Sequence, residues 1–277
     1  MATVHRYVPL DARGWRLAMG LRPLEIAKWL EIDEHRDDEL ALKQSLLSSK
    51  RDVVVATRPE GYAASREVLE EVCEYLRRYH PSLFVDINAD VDVDEHPIVA
   101  ASRLVQEDLC VLVRDQAWRL QSASVCFPSR WSLAEKIGTT LDEIHAPVPS
   151  YDAELSGPTN ALFDRLQVER AFWRLNWTLL DSPELHQPGS VRTSPSRGLD
   201  QWFFRVERQT LRKLPRTGAV VFTIRTYVDS LLTLCRANSD VAPNLLYALD
   251  SAPASTQRYK GWIGVADQLR DTLTSWT

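Results

Sequence analysis

Apolar side chains return every three or four positions between residues 63 and 80. In AASREVLEEVCEYLRRYH, Val68, Leu69, Val72 and Leu76 line up on one stripe, and this spacing predicts an amphipathic helix. Ser65 reads as its N-cap and Pro81 as its stop. Leu40, Leu42, Leu46 and Leu47 predict an earlier helix within 37–56. Before it, 21–33 mixes turn and helix signals on an extended arm. The pattern then changes. RLVQEDLCVLVRDQAWRLQSASVCFPS (103–129) predicts two strands around a turn at Arg114–Ala117. LDQWFFRVERQTLRKL and GAVVFTIRTYVDSLL, joined by PRTG (215–218), predict an antiparallel hairpin. Between these pairs the spacing predicts helices: a capping box at Ser132 and Glu135 opens one that Gly138 closes, and a short one follows over Thr140–His145. A long one runs over 159–181, supported by Leu162, Leu166, Val168, Phe172, Leu175 and Leu179. The polar run 182–198, rich in Pro, Ser and Gly, reads as a loop and candidate mobile lid, and helices close the chain.

This order of strands, helices and strands predicts an α+β fold in one domain over 1–277, with residues 1–50 as an arm packed on it. Composition adds limits more than direction. A net charge of −5 gives no basic stripe for nucleic acid, so a small molecule or another protein is the expected partner. Four widely spaced cysteines, with no CxxC pair, argue against a zinc site or a disulfide framework and predict reduced thiols in a cytoplasm. No apolar run is long enough to span a membrane, and no secretory signal is apparent. Nine tryptophans fill a core or line a large apolar pocket.

The familiar motifs are missing. The sequence contains no GxSxG, GxGxxG, Walker loop or HExxH. Asp86, Asn88 and Asp90 start a calcium-loop pattern, which then fails at Val91 and Pro97. Cys126 beside Ser129 and Arg130 lacks an activating base and reads as a buried strand residue. Alternation sets Arg225 and Tyr227 on one side of the second hairpin strand. Together with Glu207 they make a charged sheet face, with a Glu207–Arg225 cross-strand pair as its plainest explanation. The six histidines never fall in metal-pair spacing, but one imidazole suffices for haem iron. His145 stands at a helix end, followed at once by Pro147 and Pro149, where an imidazole is held in one orientation or simply caps the helix dipole.

Four segments carry a resemblance: CFPSRWSLAEKIGTTLDEIHAPVP (126–149), RVERQTLRKLPRTGAVVFTIRTYV (205–228), MGLRPLEIAKWLEID (19–33) and NWTLLDSPELHQP (176–188). Together they resemble the haem-dependent oxidative N-demethylase alpha subunits, related to the dimethylamine monooxygenases. The resemblance implies a PAS-like fold in which an antiparallel sheet and helices enclose haem b. It implies oxygen-dependent demethylation of a small secondary amine to a primary amine and formaldehyde. It also implies electrons from NADPH through separate flavin and iron–sulfur partners, for which this chain has no motif, and a homo- or hetero-oligomer.

On that footing His145 is the expected axial ligand, its second ring nitrogen oriented by Asp142 or a backbone carbonyl, with His186 as the alternative. A Cys126 thiolate ranks below both. Arg225 is expected to face bound oxygen or a haem propionate, and Tyr227 and Glu207 to orient the amine. Arg130, Lys136, Arg208 and Arg216 are propionate candidates by charge. A haem-based sensor, a haem oxygenase acting on another metabolite, and a scaffold without haem are the competing readings.

Overall fold

A computed structural model describes residues 7–83, 95–189, 198 and 201–276. The acidic stretch with Asp86, Asn88, Asp90 and Val91 lies outside the described residues, as does most of the second half of the 182–198 loop.

Seven strands form one antiparallel sheet: β1 (Arg22–Leu24), β2 (Val55–Thr57), β3 (Asp108–Arg114), β4 (Trp118–Ser124), β5 (Ala171–Leu180), β6 (Phe203–Lys213) and β7 (Val220–Ser230), in the order β1-β5-β6-β7-β3-β4-β2. With the helices around it, this is the expected α+β class. Both strand pairs read from alternation are present. The β6–β7 hairpin turns where expected, with Gly218 at φ +70°, a conformation that favours glycine.

Residues directly opposite in an antiparallel ladder share a face, so the register assigns every side chain. Trp173, Arg208 and Arg225, with Leu109 and Tyr227, lie on the first face. Phe172, Arg174, Asn176, Arg205, Glu207, Gln209, Phe222, Ile224 and Thr226 lie on the second. Glu207 stands opposite Thr226, and Arg225 opposite Arg208. The expected single face of Arg225, Tyr227 and Glu207 is therefore corrected: Glu207 points away from the other two. A shift of one position along a strand moves a side chain across the sheet, and alternation within single strands leaves that offset undetermined.

The first face is covered at one end by the helices α1 (Arg36–Ser49), α2 (Arg51–Val54), α3 (Tyr62–Tyr79) and α4 (Pro97–Leu104) together with Trp29. Val68, Val72 and Leu76 of α3 are fully buried there. Each contributes about 1.5–3 kcal/mol, more than helix propensities differ, so packing fixes this helix. Ser65 is no N-cap. It lies inside α3, buried, with its hydroxyl donating to the Gly61 carbonyl. The second face is covered by 126–166, through α5 (Leu141–His145) and α6 (Gly157–Arg165), with Leu133, Leu141, Phe163 and Leu166 packed against Cys110, Leu112, Leu211 and Val220. The C-terminal helices α7 (Leu231–Ala237), α8 (Val241–Ser251), α9 (Ala254–Lys260) and α10 (Val265–Trp276) close over Phe204 and Val206 on the first face.

Two further expectations are corrected. The long helix over 159–181 stops at Arg165, and 171–180 is strand β5. Phe172, Leu175 and Leu179 happen to fit helical spacing. Yet Trp173, Leu175, Trp177 and Leu179 also alternate, and aromatic side chains suit a pleated surface. Residues 133–135 form only a 3-10 turn with no side-chain cap from Ser132.

Candidate functional site

The capping box belongs to α5. Thr140 Oγ1 accepts from the Glu143 amide at 3.2 Å, and the Glu143 carboxylate accepts from the Thr140 amide at 2.7 Å. Leu141 buries against the second face and anchors this one-turn helix there. At its end, His145 Nδ1 lies 2.8 Å from the Leu141 carbonyl. A carbonyl only accepts, so Nδ1 carries the proton and Nε2 keeps its lone pair. The ring stacks on Tyr151, with centroids 4.6 Å apart and planes 14° from parallel. Lys136 Nζ donates to the Ile144 carbonyl at 2.9 Å, one residue away. Burial lowers the His145 pKa below its usual 6.5. The positive charges of Arg174 and Lys136 add to this, against the Leu141 hydrogen bond. His145 is thus held at Nδ1 with its pKa lowered, and no hydrogen bond is made at Nε2 among the described residues.

Opposite it runs a polar strip on the second sheet face. Asn176 of β5 and Gln209 of β6 donate to Glu207 Oε2 at 3.2 and 3.0 Å. Arg174 is desolvated, which lowers its pKa against the pull of Glu207, and its Nε is buried without a partner among the described residues. Arg205 is fully buried and reaches the carbonyls of Phe127 and Leu185, with Nε 3.6 Å from Glu207 Oε1. Gln209, Glu207 and Arg205 are spaced two residues apart, so the strip extends about 13 Å along β6, with Arg174 opposite its Gln209 end. Such a surface suits a ligand that carries both carboxylates and a cationic nitrogen.

His186 sits beside the Arg205 end. Its Nδ1–H donates to the Cys126 carbonyl at 2.8 Å, and its Nε2 is buried without a partner among the described residues. Its segment is no free lid where described: Gln187 bridges to Ser129, its amide donating to the Pro128 carbonyl and its carbonyl accepting from the Arg130 amide. Cys126 is fully buried, and burial pushes its thiol up to about 12, so it is no thiolate.

The remaining sequence candidates scatter. Arg225 is fully buried on the first face, paired with Asp33 and Glu39 at 2.7 Å each. Tyr227 donates to Glu31 at 2.5 Å, and Arg208 binds the carbonyls of Lys28 and Trp29. These three tie residues 28–39 to the sheet and do not join Glu207. Arg130, at φ +59°, pairs with Asp181. Arg216 sits at the hairpin turn, more than half exposed, against Glu67 and Glu70. Only His145, Lys136 and Glu207 of the predicted set come together around this strip, with His186 at its far end. Arg174, Asn176 and Arg205 are the additions. For Arg174 and Asn176 the signal was the polar alternation Arg174–Asn176–Thr178, hidden once the segment read as helix; Arg205 stands in the alternation Arg205–Glu207–Gln209 of a strand that reads as one.

Among the described residues no helix is long and apolar enough to cross a membrane. A family model for the haem-dependent oxidative N-demethylase, alpha subunit-like, matches residues 20–270, and the chain belongs to that family.

Proposed function

We propose that this chain is the haem b subunit of an oxidative N-demethylase that removes a methyl group from a small secondary amine of the dimethylamine kind. The reading includes oxygen as co-substrate, and formaldehyde and the primary amine as products. Electrons come from NADPH through flavin and iron–sulfur centres on partner proteins, in a cytoplasmic homo- or hetero-oligomeric assembly. The observation that carries it is the tautomer of His145: Nδ1–H tied to a backbone carbonyl, Nε2 unengaged, and the ring kept neutral by its surroundings. This arrangement suits an imidazole that would hold haem iron through Nε2, since a ligating imidazole is oriented through its second nitrogen. Arg174, desolvated and with its Nε unpartnered among the described residues, and the neighbouring Lys136, which also donates to the Ile144 carbonyl, fit the carboxylates of the same group. The sheet and the 126–166 layer then serve as the two walls of a PAS-like enclosure.

Haem supplies oxygen activation when bound. The chain's own residues set where the amine lies. Glu207, held by Asn176 and Gln209, offers a fixed carboxylate to an ammonium group on the sheet side. The hydrogen bonds from those two amides keep it from turning away. His145 would hold the haem iron through Nε2, since Nδ1–H is already committed to the Leu141 carbonyl and burial lowers the ring's pKa.

The test is a haem titration followed by its Soret band, for the parent chain and His145→Ala. The parent binds haem with a histidine-ligated spectrum, and the variant loses haem or that axial signature. An unchanged spectrum in the variant overturns the assignment. Formaldehyde release from dimethylamine with oxygen and a surrogate reductase tests the reaction. Oxygen binding without formaldehyde favours a sensor or another substrate.

A further inference from the structure

The hydrogen bond from His145 Nδ1 to the Leu141 carbonyl fixes one point of the imidazole and leaves its plane free to turn about the line of that bond. A second constraint comes from the residues downstream. The Val148 amide donates to the His145 carbonyl at 2.8 Å, and the Tyr151 amide to the Val148 carbonyl at 3.1 Å, so the chain reverses in two successive turns. The rings of Pro147 and Pro149 fix φ within them. Ser150 then adopts φ +63°, a left-handed conformation that a serine keeps only where its surroundings over-determine it. This path folds Tyr151 back onto the imidazole, buried, with centroids 4.6 Å apart and planes 14° from parallel. A π-helical turn over Asp152–Ser156 follows, and such turns gather at functional sites. Ser156 Oγ and Asn160 Nδ2 donate to Asp142 at 2.8 and 3.1 Å, which clamps that turn and α6 onto α5 itself. The helix that carries the histidine and the segment that carries the tyrosine are thus locked together, and the prolines serve the stack as much as the helix end.

We propose that Tyr151 is a positioning residue for the haem ligand: its ring sets the plane of the His145 imidazole, and its π face favours the ferric over the ferrous state of the bound haem. Iron draws electron density from a ligating imidazole, and ferric iron draws more. The negative face of a buried aromatic ring favours the partial positive charge left on the imidazole. If the ring were only apolar cover, a branched alkyl chain would serve as well. The inference rests on the reading of His145 as the iron ligand and adds what tunes that ligand.

The experiment measures the midpoint potential and ferric electron paramagnetic resonance spectrum of the haem-loaded full chain, for the parent, Tyr151→Phe, Tyr151→Leu and Tyr151→Met. Tyr151→Phe keeps the ring and both parent properties. In Tyr151→Leu the ratio of ferric to ferrous haem affinity falls by about threefold to tenfold. That is a rise in potential of about 30–60 mV, at 59 mV per tenfold. The ferric lines broaden as the imidazole plane is released. Tyr151→Met, unbranched and filling more of the same volume, shifts the potential in the same direction, so the result does not hang on the folding of one variant. Parent potentials in both ringless variants overturn the inference while the reading of His145 stands. A shift in Tyr151→Phe equal to that in Tyr151→Leu assigns the effect to the hydroxyl and overturns it too. If the parent lacks a histidine-ligated spectrum, or His145→Ala leaves it unchanged, the reading of His145 itself fails and this inference with it.

Discussion

Arg225 offers the sharpest separation between a catalytic and a structural reading. Its guanidinium is fully buried and holds Asp33 and Glu39 at 2.7 Å each, and a third contact reaches the Thr226 carbonyl at 2.7 Å. Burial works against its charge, but Glu39, Tyr227 and Asp33 outweigh that and raise its pKa. Arg225→Met keeps the length of the side chain and removes the charge, which strands two carboxylates in the interior. Removing one partner of a buried ion pair costs about 3–5 kcal/mol. Against a total of about 5–15 kcal/mol, that is roughly a fifth or more of the stability. With a urea slope of about 2–3 kcal/mol/M, the midpoint falls by about 1–2.5 M. The loss is largest near neutral pH. The Asp33 pKa is depressed in the fold: burial raises it, but Gln106 and Arg225 lower it further. Its contribution is present above the usual 3.8 and is lost as pH falls through the folded value. The gap between parent and variant therefore narrows in acid. Asp33→Asn combined with Glu39→Gln in the Arg225→Met background recovers part of the deficit, because the stranded charges are gone. A variant within about 0.5 kcal/mol of the parent that has nonetheless lost amine turnover would refute this account and return Arg225 to the chemistry.

Other outcomes follow from the same geometry. Thr140→Ala removes the cap of the helix that presents His145; it lowers stability by about 1 kcal/mol and weakens haem affinity, both read in one haem titration with denaturant. Asp108 is buried, and its carboxylate accepts from the Cys126 and Phe127 amides at 2.7 and 2.9 Å. Burial pushes its pKa from 3.8 to about 6, so the folded state holds this proton more tightly than the unfolded chain does. Its contribution to stability falls as pH rises through that window, and Asp108→Asn flattens that part of the stability–pH curve, checked by thermal melts.

The hairpin and the β3–β4 pair were legible because alternation and a short turn coincide in each. Strand β5 was not, since Phe172, Leu175 and Leu179 satisfy a helical stripe and a pleated one at once. Two Ser/Thr-x-x-Glu patterns stand eight residues apart, at Ser132 and Thr140, and local sequence does not say which one caps; the burial of Leu141 under the sheet selects the second. His145 was legible as an imidazole at a helix end with Asp142 or a backbone carbonyl beside it; of the two, the Leu141 carbonyl meets Nδ1, while Asp142 accepts from Ser156 and Asn160. The face of Glu207 was not, because it depends on the register across β6 and β7. The buried ties from Arg208, Arg225 and Tyr227 to residues 28–39 were hidden for a plainer reason: their partners lie about 190 residues earlier.

Both outer strands of the sheet come from the first 57 residues, while the central hairpin spans 203–230. During synthesis the edges therefore emerge long before the strands they must flank. Strand β1 waits for β5, roughly 150 residues later, and the ion pairs of Arg225 wait longer still. Such long-range pairings close slowly, and until they do the nascent chain exposes unpaired edges and apolar helix faces. Production of this protein should thus depend on translation rate and chaperone supply more steeply than a helical bundle of equal length would.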